Sequence, residues 1–177
     1  RTSNQLFDAY FTADSMAEVF CDQGRLQGML DFEAGLARAE AQVGLIPQAA
    51  VAPIAQACLA SLYDVDALGV AIATAGNSAI PLVKALGKLI AADDAGAERY
   101  VHLGATSQDV MDTGLILQLR RAVTLIETDL ARLGDILAAQ AQRYADVPMA
   151  GRTWLQHATP VTLGMKIAGW LGAVTRS

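Results

Sequence analysis

Two short stretches concentrate the side chains that could do chemistry. The first runs from His102 to Thr113 and reads HLGATSQDVMDT. Gly104 permits a sharp turn, and Thr106 and Ser107 then stand where a long helix must begin. Free N–H groups at a helix N-terminus, helped by the helix dipole, bind anions such as carboxylates. The same residues would also serve as ordinary caps, with Thr106 or Ser107 at the N-cap and Asp109 completing the first turn. The second stretch, Gly151 to Pro160, reads GRTWLQHATP. It sets Arg152, Thr153, Trp154, Gln156 and His157 in front of another helix. That is dense in donors for a structural loop and includes a buried-looking aromatic, Trp154. The competing reading is a packed loop with Trp154 in the core and Arg152 in a salt bridge. A weaker third feature is Gly76-Asn77-Ser78, which is also what a plain helix-breaking turn looks like. The chain has two histidines, and each lies in one of the two anion-suited loops. That joint placement points to a site more strongly than either residue alone.

Other chemistries find no support. No HxxxH or CxxC occurs, and His102 and His157 are far apart in sequence, so no metal site is expected. Cys21 and Cys58 sit in no activating pattern and are expected to be buried, reduced thiols of a cytoplasmic protein.

The elements that position these loops read as helices throughout. Asp22 is a candidate cap for a helix to about Val43, with Leu26, Met29, Leu30, Phe32 and Leu36 on one broad apolar face and Gly44 as its stop. Pro47 opens an alanine-rich helix to Leu59, in which Pro53 marks a kink or break. Asp64 or Asp66 caps a short helix to about Ala75, and another runs from Pro81 to about Ala92 before a turn over residues 93–96. A very long helix then follows the first loop and is expected to end at Pro148. Its apolar residues Leu115, Leu119, Ala122, Ile126, Leu130, Leu133 and Leu137 step by three and four, the seam of a bundle or coiled coil. Arg120, Arg121, Glu127, Asp129, Arg132 and Asp135 occupy the other face. The last helix spans Val161 to Val174, and no β alternation of useful length is found. It stops without a glycine, asparagine or proline, as a truncated polypeptide would. The expected fold is therefore all-α: a small N-terminal helical domain over residues 1–103, then over 104–177 the beginning of a long-helix bundle.

Bulk composition narrows the function class. The 177 residues are 53% hydrophobic and 18% charged, with 34 alanines. An ordinary domain is about 25% charged, so some apolar surface is expected to be buried against a partner. Disorder is excluded by the hydrophobicity. Thirteen Lys and Arg against 18 Asp and Glu, with no basic block, argue against a nucleic-acid binder. The longest uncharged stretch, Ala41 to Tyr63, carries three glutamines and two prolines, so no membrane span is expected. Asp8 and Asp14 stand where a signal peptide would be apolar.

At the two loops the chain resembles the fumarase/aspartase superfamily, which includes class II fumarase, argininosuccinate lyase and adenylosuccinate lyase. The stretch from His102 is similar to that family's first signature, and GRTWLQHATPVTLG, from Gly151, to its second. The segments SNQLFDAYF, from Ser3, and GNSAIPLVKAL, from Gly76, resemble the cycloisomerase branch rather than the lyases. Two departures agree with that branch. Trp154 stands where fumarases and most of the lyases have a histidine, and Asn77 where adenylosuccinate lyases have one. The family's third signature, a Ser- and Gly-rich loop carrying a proposed serine base, does not occur in these residues.

The resemblance implies a cofactor-independent lactonisation of a conjugated polycarboxylate. It assigns Thr106, Ser107 and Thr153 to substrate carboxylates and Gln156 to substrate orientation. His102 becomes a candidate for substrate binding or proton handling, and His157 a secondary acid. Trp154 shapes the pocket, Asn77 and Arg152 join the substrate-binding set, and Arg152 could instead pair with an acidic residue. It further implies a homo-oligomer, a tetramer with shared active sites, while composition argues for no nucleic-acid or membrane partner. A superfamily lyase acting on adenylosuccinate- or argininosuccinate-like substrates, and a non-catalytic helical oligomerisation module, are the alternatives.

Overall fold

The computed structural model describes residues 9–94 and 96–177. Residues 1–8, among them Arg1, Asp8 and the start of the SNQLFDAYF segment, lie outside the described residues, as does Ala95 of the predicted turn. The chain divides into two compact units, one reaching to Ala122 and the other spanning Val123–Ser177.

The first unit contains α1 (Asp14–Phe20), α2 (Asp22–Gln42), α3 (Val51–Ala57), α4 (Val65–Ala75), α5 (Ala79–Asp93) and the first part of α6 (Ser107–Arg143). Three short 3-10 turns link them, at Gln48–Ala50, Ala60–Leu62 and Glu98–Tyr100. Its core is aliphatic, with Leu30, Ile54, Leu82, Leu86, Ile90 and Val110 almost fully withdrawn from solvent. Each such side chain contributes about 1.5–3 kcal/mol of burial.

Local chemistry sets most of the boundaries. The helix α2 is capped by Cys21, whose Sγ accepts from the Gly24 N–H at 3.3 Å, and Asp22 is its first residue rather than its cap. Cys21 is consequently exposed and not a buried thiol, whereas Cys58 is buried. Asp64, and not Asp66, caps α4 by accepting from the N–H groups of Asp66 and Ala67, both at 3.0 Å. Gly76 ends that helix in the left-handed region, at φ 65°. Pro53 lies inside α3 and falls in its first turn, where its missing N–H has no intrahelical partner to lose.

The stripe by which α6 packs into the first unit shares only Ala122 with the predicted bundle seam. Val110, Gly114, Gln118 and Ala122 are buried, whereas Leu115, Leu119, Ile126 and Leu133 are exposed. Val110, Gly114 and Gln118 lie about one residue, or 100°, around the helix from Leu115 and Leu119. Gly28 of α2 and Gly114 explain the choice, because a Cβ on Gly28 would meet the Gly114 carbonyl oxygen at 2.7 Å. Only this glycine face admits the backbone of α2 so closely.

The second unit holds the rest of α6, a double ribbon and α7 (Leu163–Arg176). The helix α6 stops at Arg143, before Pro148, which instead begins a strand. Strand β1 (Pro148–Met149) pairs antiparallel with β4 (Val161–Thr162), and β2 (Arg152–Thr153) pairs with β3 (Gln156–His157). Two residues per strand give no readable alternation, so the sequence registers them only as loop. Thr162 caps α7 through the Met165 N–H at 3.1 Å. Gly164 lets α7 start directly against the backbone of Ala141 and Ala145.

Candidate functional site

In the first unit the chemistry gathers around His102. Its backbone is left-handed, at φ 57°, and Gly104 two residues on has φ 71°. A non-glycine residue there carries about 1–3 kcal/mol of strain that the surroundings must hold in place. The holding contact is visible: His102 Nδ1 lies 2.6 Å from Oε1 of Glu33 on α2. Glu33 is only 2% exposed. Its Oε2, and Oε2 of the less deeply buried Glu40, find no hydrogen-bond partner among the described residues. Burial pushes the Glu33 carboxyl above the usual carboxylate range; the His102 contact pulls it back, and Glu40 pushes it further up. Burial raises Glu40 as well, with His102 again opposing.

His102 lines a cavity of about 180 Å³ together with Ala79, Ile80, Val83, Lys84 and Ser107. Ala79 and Ile80 are the first residues of α5, and Ser107 is the first of α6. Two helices therefore begin at the wall of one cavity, and both dipoles place positive ends there. Asn77 accepts from the N–H groups of Ala79 and Ile80, at 2.8 and 3.3 Å, so its carbonyl is used in capping α5. At α6 the Thr106 N–H donates to Asp109 Oδ2 at 2.9 Å, the return half of a capping box. Lys84, an exposed residue of α5, is also among the residues lining this largely apolar cavity.

In the second unit Arg152 lies opposite His157, and Thr153 opposite Gln156, across the β2–β3 ribbon. Directly opposed residues share a face, so Arg152 and His157 stand side by side on one surface. Trp154 and Leu155 form the turn with φ 46° and 63°. Two positive φ values in a two-residue hairpin loop mark the type I′ geometry, which ordinarily selects Asn and Gly. Trp154 is 93% exposed, so the expectation of a core aromatic fails. The register puts it at the hairpin tip. Gly151 closes the ribbon: its carbonyl accepts from the Ala158 N–H at 2.9 Å, and a Cβ there would collide with the Thr159 carbonyl. Arg152 forms no ion pair with a described acidic residue.

The residues fall into two sets, each assembled within its own unit: His102, Thr106, Ser107 and Asn77 in the first, Arg152, Thr153, Trp154, Gln156 and His157 in the second. Sequence reading missed Glu33, Glu40 and Lys84. Glu33 and Glu40 do carry a signal, because they fall in the phase of the buried stripe Leu26, Leu30, Ala37 of α2. A carboxylate in an apolar stripe needs a partner, and His102 is the one Glu33 has. Among the described residues no three His, Cys, Asp or Glu side chains could hold a metal ion, and no helix is long and apolar enough to cross a membrane.

Comparison with known proteins gives this geometry its setting. A 3-carboxy-cis,cis-muconate cycloisomerase of Pseudomonas aeruginosa is 72% identical over 174 residues, 98% of this chain and 38% of that protein. One from Pseudomonas putida is likewise 72% identical, over 98% of this chain and 41% of that protein. The crystal structure of the 3-carboxy-cis,cis-muconate lactonizing enzyme from Pseudomonas putida superimposes with a TM-score of 0.94 at 72% identity, covering 98% of this chain and 40% of that one. The chain thus spans about two-fifths of the length of these relatives. A lyase family model matches residues 9–177, taking in both loops, and the chain belongs to that lyase family of the fumarase/aspartase superfamily.

Proposed function

We propose that this chain is a portion of a 3-carboxy-cis,cis-muconate cycloisomerase, which lactonises its substrate in the breakdown of protocatechuate. Residues 1–103 then form the N-terminal domain, and residues 104–177 open the central bundle of a cytoplasmic homotetramer. The observation that carries this reading is the cavity in which His102, Lys84 and Ser107 meet the N-termini of α5 and α6.

The reaction asks for what such a cavity offers. One substrate carboxylate oxygen forms a C–O bond to a conjugated alkene carbon. The π pair moves to the carbon beside another carboxylate, which then takes a proton. The intermediate places extra negative charge on a carboxylate that is already ionised. Fixed donors and helix N-termini stabilise such charge, and losing one such donor costs about 3–4 kcal/mol. The nucleophile belongs to the substrate, so proximity is built in and no water need be activated. In this scheme the first unit contributes Thr106 and Ser107 for carboxylates and Asn77 for substrate binding; the second unit separately contributes Thr153 for a carboxylate, Gln156 for orientation, and Arg152 and Trp154 for substrate binding. His102 handles a proton or binds substrate, and His157 is a secondary acid.

The test is an ultraviolet assay for loss of the muconate chromophore by the full-length protein and by His102→Ala, Ser107→Ala and His157→Ala. Turnover by the parent, with at least tenfold loss in His102→Ala and Ser107→Ala, supports the reading. Unchanged turnover in all three variants overturns this site. Fumarate release from a succinyl substrate in place of chromophore loss would favour a superfamily lyase.

A further inference from the structure

We propose that Glu33 is a positioning residue for His102: it accepts the Nδ1 hydrogen and so presents the other ring nitrogen, Nε2, to the cavity shared with Lys84 and Ser107. The inference rests on the proposed reading of that cavity as a carboxylate site, but its central observation does not.

Three features over-determine His102. Its backbone is held left-handed at φ 57°. Its Nδ1 is fixed at 2.6 Å from a carboxylate oxygen. His102 also lines the cavity at the start of α6. A histidine needed only for packing requires none of these. The carboxylate is costly in its own right. Glu33 sits on α2 among Leu26, Met29, Leu30 and Ala34, where an aliphatic side chain would suit the core better. One of its oxygens has no partner among the described residues, and a second buried carboxyl, Glu40, lies two turns along the same helix.

An ionised carboxylate can only accept, so the hydrogen between the two groups sits on Nδ1. That choice leaves Nε2 as the nitrogen free to accept or relay a proton on the cavity side. Free imidazole favours the opposite tautomer, with hydrogen on Nε2, so the buried carboxylate sets a form the ring would not otherwise adopt. Placement within the apolar core strengthens the contact, since little water competes for it. Burial also keeps the carboxyl from rotating away to solvent.

The experiment uses the full-length protein labelled with 15N-histidine, at about pH 8.5, where an ordinary imidazole is neutral. In the parent, the ring spectrum of His102, assigned by its loss in His102→Asn, is expected to show Nδ1 protonated. An Nδ1 without a proton overturns the proposal whatever the variants do. Glu33→Leu removes the acceptor while suiting the apolar surroundings. It is expected to shift His102 to the Nε2-protonated form and lower kcat at least tenfold, with KM moved less. A purely structural Glu33 would change the melting temperature and leave both tautomer and kcat alone, which also overturns the proposal. If the parent has no muconate turnover, the functional reading fails by itself, and the tautomer still decides the role of Glu33.

Discussion

Gly28 of α2 and Gly114 of α6 face each other so closely that a Cβ on Gly28 would lie 2.7 Å from the Gly114 carbonyl oxygen. The obstructing atom is backbone and cannot swing aside. Gly28→Ala is therefore expected to destabilise the fold by about 1–3 kcal/mol, the range for overpacking a tight contact. Gly35, on the same helix, has open space around its Cβ position. Gly35→Ala should instead gain about 0.5–1 kcal/mol of helix propensity. Denaturant midpoints of the two variants are expected to move in opposite directions. A loss in both would mean that the crossing is not what makes Gly28 necessary.

The carboxyls of Glu33 and Glu40 make stability depend on pH with an unusual sign. Burial raises both above their ordinary value, so between the unfolded and folded pKa the native state holds more protons than the unfolded one. Stability then falls as pH rises through that window, the reverse of a salt-bridged carboxylate. Glu40→Gln removes one of the two costs. It should raise stability at about pH 8, with the gain shrinking toward about pH 4. Thermal melts of parent and variant across that range read the difference directly.

The two thiols should differ sharply in reactivity. Burial, reinforced by Glu33 and Asp31, pushes the Cys58 thiol up to about 12. Cys21 is exposed at the start of α2. Thiolate is the reacting species. Under native conditions a thiol reagent should modify Cys21 and spare Cys58, with both reacting after unfolding. Peptide mapping of the labelled protein distinguishes the sites, and early labelling of Cys58 would contradict its place in the core.

Legibility followed the range of the forces involved. Asp64, Gly44 and Gly76 announce helix ends because capping is a local matter. Both loops are legible because helix N-termini and donor-rich stretches are properties of short segments. The inward stripe of α6 is different. Leu115 and Leu119 form the more hydrophobic face, and only the crossing at Gly28 and Gly114 turns Val110, Gly114 and Gln118 inward instead. The contact between Glu33 and His102 spans 69 residues of chain, so spacing alone gives no hint of it. The hairpin at Trp154 and Leu155 lacks the Asn-Gly signal its φ values call for.

Sequence reading passes over Lys84, as it does Glu33 and Glu40, because a lysine on an amphipathic helix is ordinarily solvent-facing. Lys84 is exposed, and it also lines the cavity with His102 and Ser107. If that cavity takes a carboxylate of the substrate, the ammonium contributes ground-state attraction that persists through the reaction. Uniform binding of that kind appears in KM more than in kcat. Lys84→Met in the full-length protein is thus expected to raise KM about tenfold, roughly 1.4 kcal/mol, and change kcat little. Lys84→Arg should restore most of the affinity, since charge rather than shape is what the position supplies. Added salt should weaken substrate binding in the parent and in Lys84→Arg more than in Lys84→Met. A kcat loss in Lys84→Met larger than its KM effect would instead place the lysine at the reacting atoms.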